Sequence, residues 1–211
     1  MASGYYINKR EEMLQFIPNS CKRILEVGCG DGIFAESVKN KFNAEVWGVE
    51  LSEDAAKKAE KVIDKVFTGD IIELVNTLPA NYFDCIVIND VLEHILDPFK
   101  LLSKIKSLIK NNGYIVSSIP NVRYIGNLEE LLLKKDWQYK DDGILDITHF
   151  RFFTKKSIER MFTNAGYKIV SIEGINPTGS IKVKLLGWLS FGLFADAKFM
   201  QFATVARCMN S

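Results

Sequence analysis

The stretch Leu25-Glu-Val-Gly-Cys-Gly-Asp-Gly32 decides the fold. It continues a β-rich run that begins at Arg23, and residues 33–42 behind it carry apolar side chains at helical spacing. Glycines at such a strand-to-helix turn let the chain turn sharply and let a ligand approach the backbone, while the helix N-terminus offers free N–H groups. A dinucleotide-binding G-x-G-x-x-G pattern would need a glycine at position 33, where Ile33 stands.

Outward from this turn, strand-like and helix-like segments alternate. The predicted strands are residues 23–27, 45–50, 66–67, 84–89, 114–119, 168–173 and 200–206. The predicted helices are residues 33–42, a segment capped by Ser52, one from Pro98 to Asn112-Gly113, and one capped by Thr154. This order predicts a Rossmann-like, doubly wound α/β fold with a mostly parallel seven-stranded sheet, helices on both faces and an insertion after strand 5.

The composition indicates one globular domain over residues 1–211. Hydrophobic residues make up 47% of the chain, and 27 basic side chains nearly balance 26 acidic ones. Such a chain is too apolar to be disordered, and its charge balance argues against nucleic-acid binding as the main task. The first residues carry charges where a signal peptide needs an apolar run, and no stretch reaches about 18 apolar residues. We therefore expect a cytoplasmic protein without a transmembrane segment, whose four cysteines are reduced.

Acidic and amide side chains follow several predicted strands. Glu50 closes the second strand about 20 residues after the glycine turn, where an acid can accept both hydroxyls of a ribose. Asp70 ends the third strand, and Asn89-Asp-Val-Leu-Glu-His94 follows the fourth. Because open α/β sheets bind ligands at the carboxyl ends of their strands, we expect these residues to share one site.

These residues together resemble the class I S-adenosylmethionine-dependent methyltransferases. The resemblance spans about residues 5–170 and is carried by Leu25-Glu-Val-Gly-Cys-Gly-Asp-Gly32, Glu50, Gly69-Asp70, Phe83-Asp84, Leu92-Glu-His94 and Asp97-Pro98. It is strongest toward the ubiquinone-biosynthesis-like small-molecule branch. The stretch Asp142-Gly-Ile-Leu-Asp-Ile-Thr-His-Phe-Arg-Phe-Phe-Thr154 is also similar to methyltransferases of bacterial glycan and cell-envelope clusters.

The resemblance implies S-adenosyl-L-methionine as cofactor, S-adenosyl-L-homocysteine as product, and a role for each matching residue. Glu26, Gly28, Cys29 and Gly30 would hold the methionine part, and Glu50 the ribose. Leu51 and Ile71 would sandwich the adenine, with Asp70 at its amino group. Asn89 would meet the methionine end through its backbone. Tyr5, Tyr6 and Arg10, in the N-terminal segment 1–22, would form a lid, although the two tyrosines are equally consistent with surface aromatics near a chain end.

His94 and His149 are the only histidines and the candidates for catalysis. A histidine can act as a base near neutral pH, which an oxygen acceptor would need, but either ring could instead be a packing residue. Asp90, Glu93 and His94 share a helical face and could ligate a divalent cation if they converge. Cysteine and histidine spacing gives no zinc motif, so no metal is expected on that ground.

Acceptor specificity is predicted to reside in residues 121–153 and 175–198. Phe150, Phe152 and Phe153 fit a core or an acceptor pocket. The apolar segment 185–194, preceded by Lys182 and Lys184, fits a lid, a subunit interface or a peripheral membrane contact. The predicted acceptor is a small molecule or a glycan- or lipid-linked precursor, and the oligomeric state is left open.

Methyl transfer from a sulfonium is an in-line displacement, so the protein mainly has to align the reactants, which can lower a barrier by about 7–11 kcal/mol. The alternatives are a non-catalytic module that binds the cofactor or its demethylated product, and an NAD-dependent oxidoreductase. Ile33 argues against the latter, and Asp70 has no role in it.

Overall fold

The computed structural model describes residues 9–180, 183, 188 and 190–209. It contains a seven-stranded sheet of order β3-β2-β1-β4-β5-β7-β6. The strands are β1 (Arg23–Val27), β2 (Glu45–Glu50), β3 (Lys65–Thr68), β4 (Phe83–Asn89), β5 (Ile109–Pro120), β6 (Tyr167–Pro177) and β7 (Phe199–Cys208). All pairs are parallel except those of β7 with β5 and with β6. The predicted α/β fold with a mostly parallel seven-stranded sheet is confirmed.

Six α-helices accompany the strands in the described part of the chain. They are α1 (Ile33–Phe42), α2 (Glu53–Ala59), α3 (Ile71–Leu74), α4 (Pro98–Ile105), α5 (Ile125–Glu129) and α6 (Lys155–Asn164). Local side chains define where they begin: the Ser52 hydroxyl accepts from Ala55 N at the start of α2, and Thr154 and Ser157 form a reciprocal capping box at α6.

The central strands are buried on both faces. Successive side chains of a strand point to opposite sides, so Leu25 and Ile86 enter the cluster that includes α4 and α6, while Ile24 and Val87 enter the cluster that includes α1. This explains why β4 is a continuous apolar run rather than an alternating one. Helices therefore cover both faces, as predicted.

The chain order reverses at β1, because β2 lies on one side of it and β4 on the other. In doubly wound sheets this switch point opens a crevice at the carboxyl ends of the strands. The glycine turn after β1, Glu50 at the end of β2 and Asn89 at the end of β4 all lie at that edge.

The prediction that Asn112-Gly113 separates α4 from the fifth strand is wrong. Ile109 already pairs with Phe83, and β5 runs through Asn112, which takes a left-handed φ of 64°. A register shift between Phe83 and Cys85 accommodates the extra residues. From the sequence alone, an Asn-Gly pair that ends a helix looks the same as one that lies within an irregular strand. Only the pairing with the neighbouring strand distinguishes the two.

Residues 121–153, predicted as an insertion, contain α5, a π-helix at Glu130–Lys134, and loops; their status as an insertion stays a prediction. Residues 175–177, predicted on the acceptor side, extend β6. A 3-10 helix at Glu11–Phe16, which no prediction anticipated, buries Met13 against the sheet. Tyr5, Tyr6, Lys182, Lys184 and part of segment 185–194 lie outside the described residues. Within the described ranges, every helix is too short or too polar to cross a membrane.

Candidate functional site

The glycine turn brings the ends of β1 and β4 close together. Gly28 and Gly32 have φ values of 75° and 83°, a left-handed conformation that favours glycine. A Cβ at Gly28 would lie 2.5 Å from Val91 Cγ2, in the segment after β4, and one at Gly32 would lie 2.9 Å from Ala59 Cα. The turn therefore needs glycine for its backbone conformation and for the close approach of its neighbours.

Glu50 ties the turn to the end of β2. Its carboxylate accepts from Gly30 N at 2.8 Å and from Ser52 N at 2.9 Å, one bond to each oxygen. Each carboxylate oxygen has a second lone-pair direction, so the buried side chain keeps acceptor capacity for two further donors, such as the two hydroxyls of a ribose.

Glu26, near the end of β1, is a buried carboxylate with an unused oxygen. The residue is 4% exposed, and Oε2 has no hydrogen-bond partner among the described residues. Burial raises the pKa of Glu26 well above its ordinary value, and the charge of Glu50 raises it further. A buried acceptor without a donor is unfavourable, so this group fits a ligand cation.

Arg10 reaches the same edge from the N-terminal segment. Its Nη1 pairs with Asp90 Oδ2, and its Nε donates to Glu12 at 2.8 Å. Its Nη2 is buried and has no partner in the described part of the chain, which suits a carboxylate on a ligand. Asp90 also accepts from Ser118 and Gln201, and burial raises its pKa.

Asn89 ends β4 with both atoms of its side-chain amide buried and without a partner among the described residues. The sequence analysis expected only the Asn89 backbone to contact the ligand and missed the side-chain amide. The position of Asn89 at the end of a buried strand was the one feature of the sequence that could have indicated this role. An amide can donate and accept at once, which suits the amino-acid end of a ligand.

The remaining predicted cofactor residues differ in how they face the crevice. Asp70 caps α3 by accepting from Ile72 N at 2.7 Å, which leaves its second oxygen for a ligand. Leu51 is 71% exposed and can cover a ring, whereas Ile71 is packed in the core. The Cys29 side chain is buried against Gly48, and burial raises its pKa, so only its backbone faces the turn.

His94 and His149 lie together, although one follows β4 and the other precedes α6. Their ring centroids are 4.6 Å apart in an edge-to-face arrangement. His94 lies in a 3-10 helix at Leu92–His94, and the chain that carries His149 is held to it because Phe150 N and Arg151 N both donate to Glu93 O. Burial lowers the pKa of His94, and the neighbouring His149 lowers it further.

The sequence left open whether Asp90, Glu93 and His94 converge on a cation, and the structure does not bring Asp90 into such a group. One potential ligand atom from each of Glu93, His94 and His149 lies within 4.8 Å of the others, and Asp90 is not in that group. Asp90 instead faces Arg10, Ser118 and Gln201, because it adopts a left-handed φ of 53° at the end of β4. No sequence pattern connected His149 to Glu93.

Aromatic side chains flank the two histidines. Phe152 contacts Trp137, Tyr139 and His149, with ring centroids 5.4, 6.2 and 6.3 Å apart. The sequence left open whether Phe150, Phe152 and Phe153 belong to the core or to an acceptor pocket. In the structure Phe153 is buried in the core, Phe150 is exposed, and Phe152 lies beside His149. A cavity nearby is lined by residues 124, 126, 127, 130, 140, 142–145 and 200.

Comparisons with family models, curated proteins and solved structures all find similarity to methyltransferases. A model described as a methyltransferase domain matches residues 2–172. An uncharacterized protein of Methanocaldococcus jannaschii is 32% identical over 166 residues, which are 77% of this chain and 72% of that protein. A protein named ubiquinone biosynthesis O-methyltransferase from Burkholderia pseudomallei is 26% identical over 162 residues, covering 73% of this chain and 68% of that protein.

The same fold occurs in a crystal structure of a SAM dependent methyltransferase from Archaeoglobus fulgidus. The two superpose with a TM-score of 0.65 at 24% identity, over 90% of this chain and 87% of that one. Another from Mesorhizobium loti superposes with a TM-score of 0.65 at 19% identity, over 93% and 95% of the two chains.

Proposed function

Because this chain belongs to the family of class I S-adenosylmethionine-dependent methyltransferases, we propose that it methylates an oxygen of a small hydroxylated molecule. The cofactor S-adenosylmethionine supplies a methyl group already activated on a sulfonium. The protein's task is then to hold that cofactor and align the acceptor with it.

The residues at the sheet edge fit the cofactor, which has a cationic amine, a carboxylate and a ribose diol. Glu26 offers an unpaired carboxylate oxygen for the ammonium, and Arg10 offers an unpaired Nη2 for the carboxylate. Glu50 retains lone pairs for the two ribose hydroxyls. Together the acids favour a ligand with positive charge, which fits the sulfonium.

The pairing of the half-buried His94 with His149, beside the segment that follows β4, is the observation that carries the acceptor proposal. Both rings lie close to the short turn that follows Asn89, where imidazoles can act on an acceptor hydroxyl. Aromatic side chains beside His149 fit a small molecule with an apolar body. The relatives named O-methyltransferases support oxygen as the methylated atom.

A glycan- or lipid-linked precursor, a cytoplasmic location and a lid formed by residues 1–22 remain predictions.

The proposal is tested in two steps. Calorimetry with S-adenosylmethionine and S-adenosylhomocysteine measures cofactor binding, with NADH as a comparison ligand that we expect not to bind. Mass spectrometry then follows methyl transfer across matched phenols, sugars, amines and thiols. Product carrying a new O-methyl group supports the proposal. Transfer to amines alone would contradict it, and cofactor binding without any transfer would favour the non-catalytic module.

A further inference from the structure

We propose that Glu93, His94 and His149 bind one divalent transition-metal ion. The cluster joins the 3-10 helix after β4 to the loop before α6, and one ligand atom from each residue lies within 4.8 Å of the others. Two imidazoles with one carboxylate suit zinc, cobalt, iron or manganese, whereas magnesium and calcium prefer oxygen ligands.

The environment of the Glu93 carboxylate supports a cation independently of the histidines. Glu93 is 1% exposed, and within the described residues neither of its carboxylate oxygens has a hydrogen-bond partner. A carboxylate buried without a donor is strongly unfavourable unless a proton or a cation neutralises it. A metal ion would bind these oxygens directly.

The histidines are oriented as metal-binding histidines commonly are. His149 Nδ1 lies 3.0 Å from Ile144 O, and His94 Nδ1 lies 3.2 Å from Thr148 O. A carbonyl oxygen can only accept, so each Nδ1 carries the proton and each Nε2 keeps a lone pair. Histidines that ligate a metal usually donate their other N–H to a carbonyl or carboxylate, which fixes the ring.

Thr148 reinforces this assignment for His94. Its hydroxyl donates to Asp146 Oδ1 at 2.6 Å, so toward His94 Nδ1, 3.2 Å away, the hydroxyl oxygen acts as an acceptor. The two loops are further joined by Phe150 N and Arg151 N, which donate to Glu93 O at 2.9 and 3.2 Å. The three ligating side chains are thus held in place by contacts that need no metal.

Three protein ligands leave at least one coordination position for another molecule, the arrangement typical of catalytic rather than structural metal sites. In the protein's reaction this position would take the acceptor hydroxyl and lower its pKa, as zinc does for bound water. This role rests on the proposed function, whereas binding of the ion does not.

Equilibrium dialysis of the full chain against Zn²⁺ or Co²⁺, with Mg²⁺ as comparison, tests the site. Elemental analysis should find one transition-metal ion per chain. His149→Ala and Glu93→Gln should each weaken binding at least tenfold, because even the loss of an outer-shell partner typically costs about 10–100-fold in metal affinity. Asp142→Asn, an exposed acid of the same segment, should bind the ion as the unaltered chain does.

The Co²⁺ visible spectrum shows which atoms bind. Nitrogen and oxygen ligands give weak d–d bands alone, whereas cysteine would add an intense thiolate charge-transfer band. If the variants do not fold, the unaltered chain still decides: the Tm of metal-stripped protein should rise as Zn²⁺ is added, since an ion that binds the folded state stabilises it.

No bound ion, equal affinity in His149→Ala, or a thiolate band would overturn the proposal. Calorimetry with S-adenosylmethionine on the same samples separates this result from the proposed function. Loss of metal binding with normal cofactor binding and O-methyl transfer would refute the metal site alone. Metal binding without cofactor binding would refute the proposed function alone.

Discussion

Replacing Glu26 by glutamine should stabilise the cofactor-free chain at neutral pH while weakening cofactor binding. Burial and the charge of Glu50 raise the pKa of Glu26 well above its ordinary value of 4.5. The folded chain therefore holds this proton more tightly than the unfolded chain. The resulting stabilisation is complete below pH 4.5 and is lost as the pH rises through the folded-state pKa.

The size of the effect follows from proton linkage. Within that window, Glu26 lowers the free energy of unfolding by up to about 1.4 kcal/mol for each pH unit. Glutamine cannot ionise, so the difference in unfolding free energy between Glu26→Gln and the unaltered chain should grow as the pH rises above 4.5 toward the folded-state pKa of Glu26. Urea unfolding at several pH values measures this difference. Glu60→Gln, an exposed acid after α2, provides the control and should show a flat difference.

The affinity for the cofactor should fall in Glu26→Gln, although the stability of the cofactor-free chain rises. Removing one partner of a buried ion pair typically costs about 3 kcal/mol or more, which corresponds to roughly 10²-fold in Kd. Calorimetry with S-adenosylmethionine measures the loss. A Kd unchanged within about threefold, or an unfolding difference independent of pH, would refute the view that Glu26 is a buried carboxylate awaiting the ligand's ammonium.

Three further substitutions probe the same edge. Glu50→Ala removes the acceptor of two backbone N–H bonds and should lower the free energy of unfolding by about 1–3 kcal/mol, which urea unfolding measures. It should also weaken S-adenosylmethionine binding, which calorimetry measures. Gly28→Ala combines a left-handed φ with a clash on Val91 and should cost at least about 2 kcal/mol, seen as a lower Tm; an unchanged Tm would contradict this. Arg10→Ala leaves Asp90 without its guanidinium and should raise the cofactor Kd at least tenfold; retained affinity would exclude Arg10 from the site.

The sequence predicted local elements well where short-range physics defines them. The predicted bounds of α1 and β2 match the structure, because an amphipathic helix and a buried strand each carry their own periodicity. The caps at Ser52 and Thr154 were equally readable, since each side chain bonds a backbone N–H only three residues away. The start of β5 was not readable, because it depends on pairing with Phe83 in another strand.

The candidate site divides in the same way. The glycine turn, Glu50 and Asn89 could be placed at one edge because parallel strands bring their carboxyl ends together, whereas the role predicted for Glu26 came from the family resemblance. The partners of those residues were not found. Asp90 meets Gln201 from β7, and Glu93 meets His149 from the loop before α6, across separations that no spacing rule covers.

The sequence by itself determined the alternation of strands and helices and which acids follow the strands, because these depend on local periodicity and chain order. Only the tertiary structure decided which polar groups are paired and which are left without a partner. It turns Asp90 toward Arg10 and joins His149 to Glu93 and His94. Burial and long-range contacts set these pairings, and both arise only when distant segments pack together.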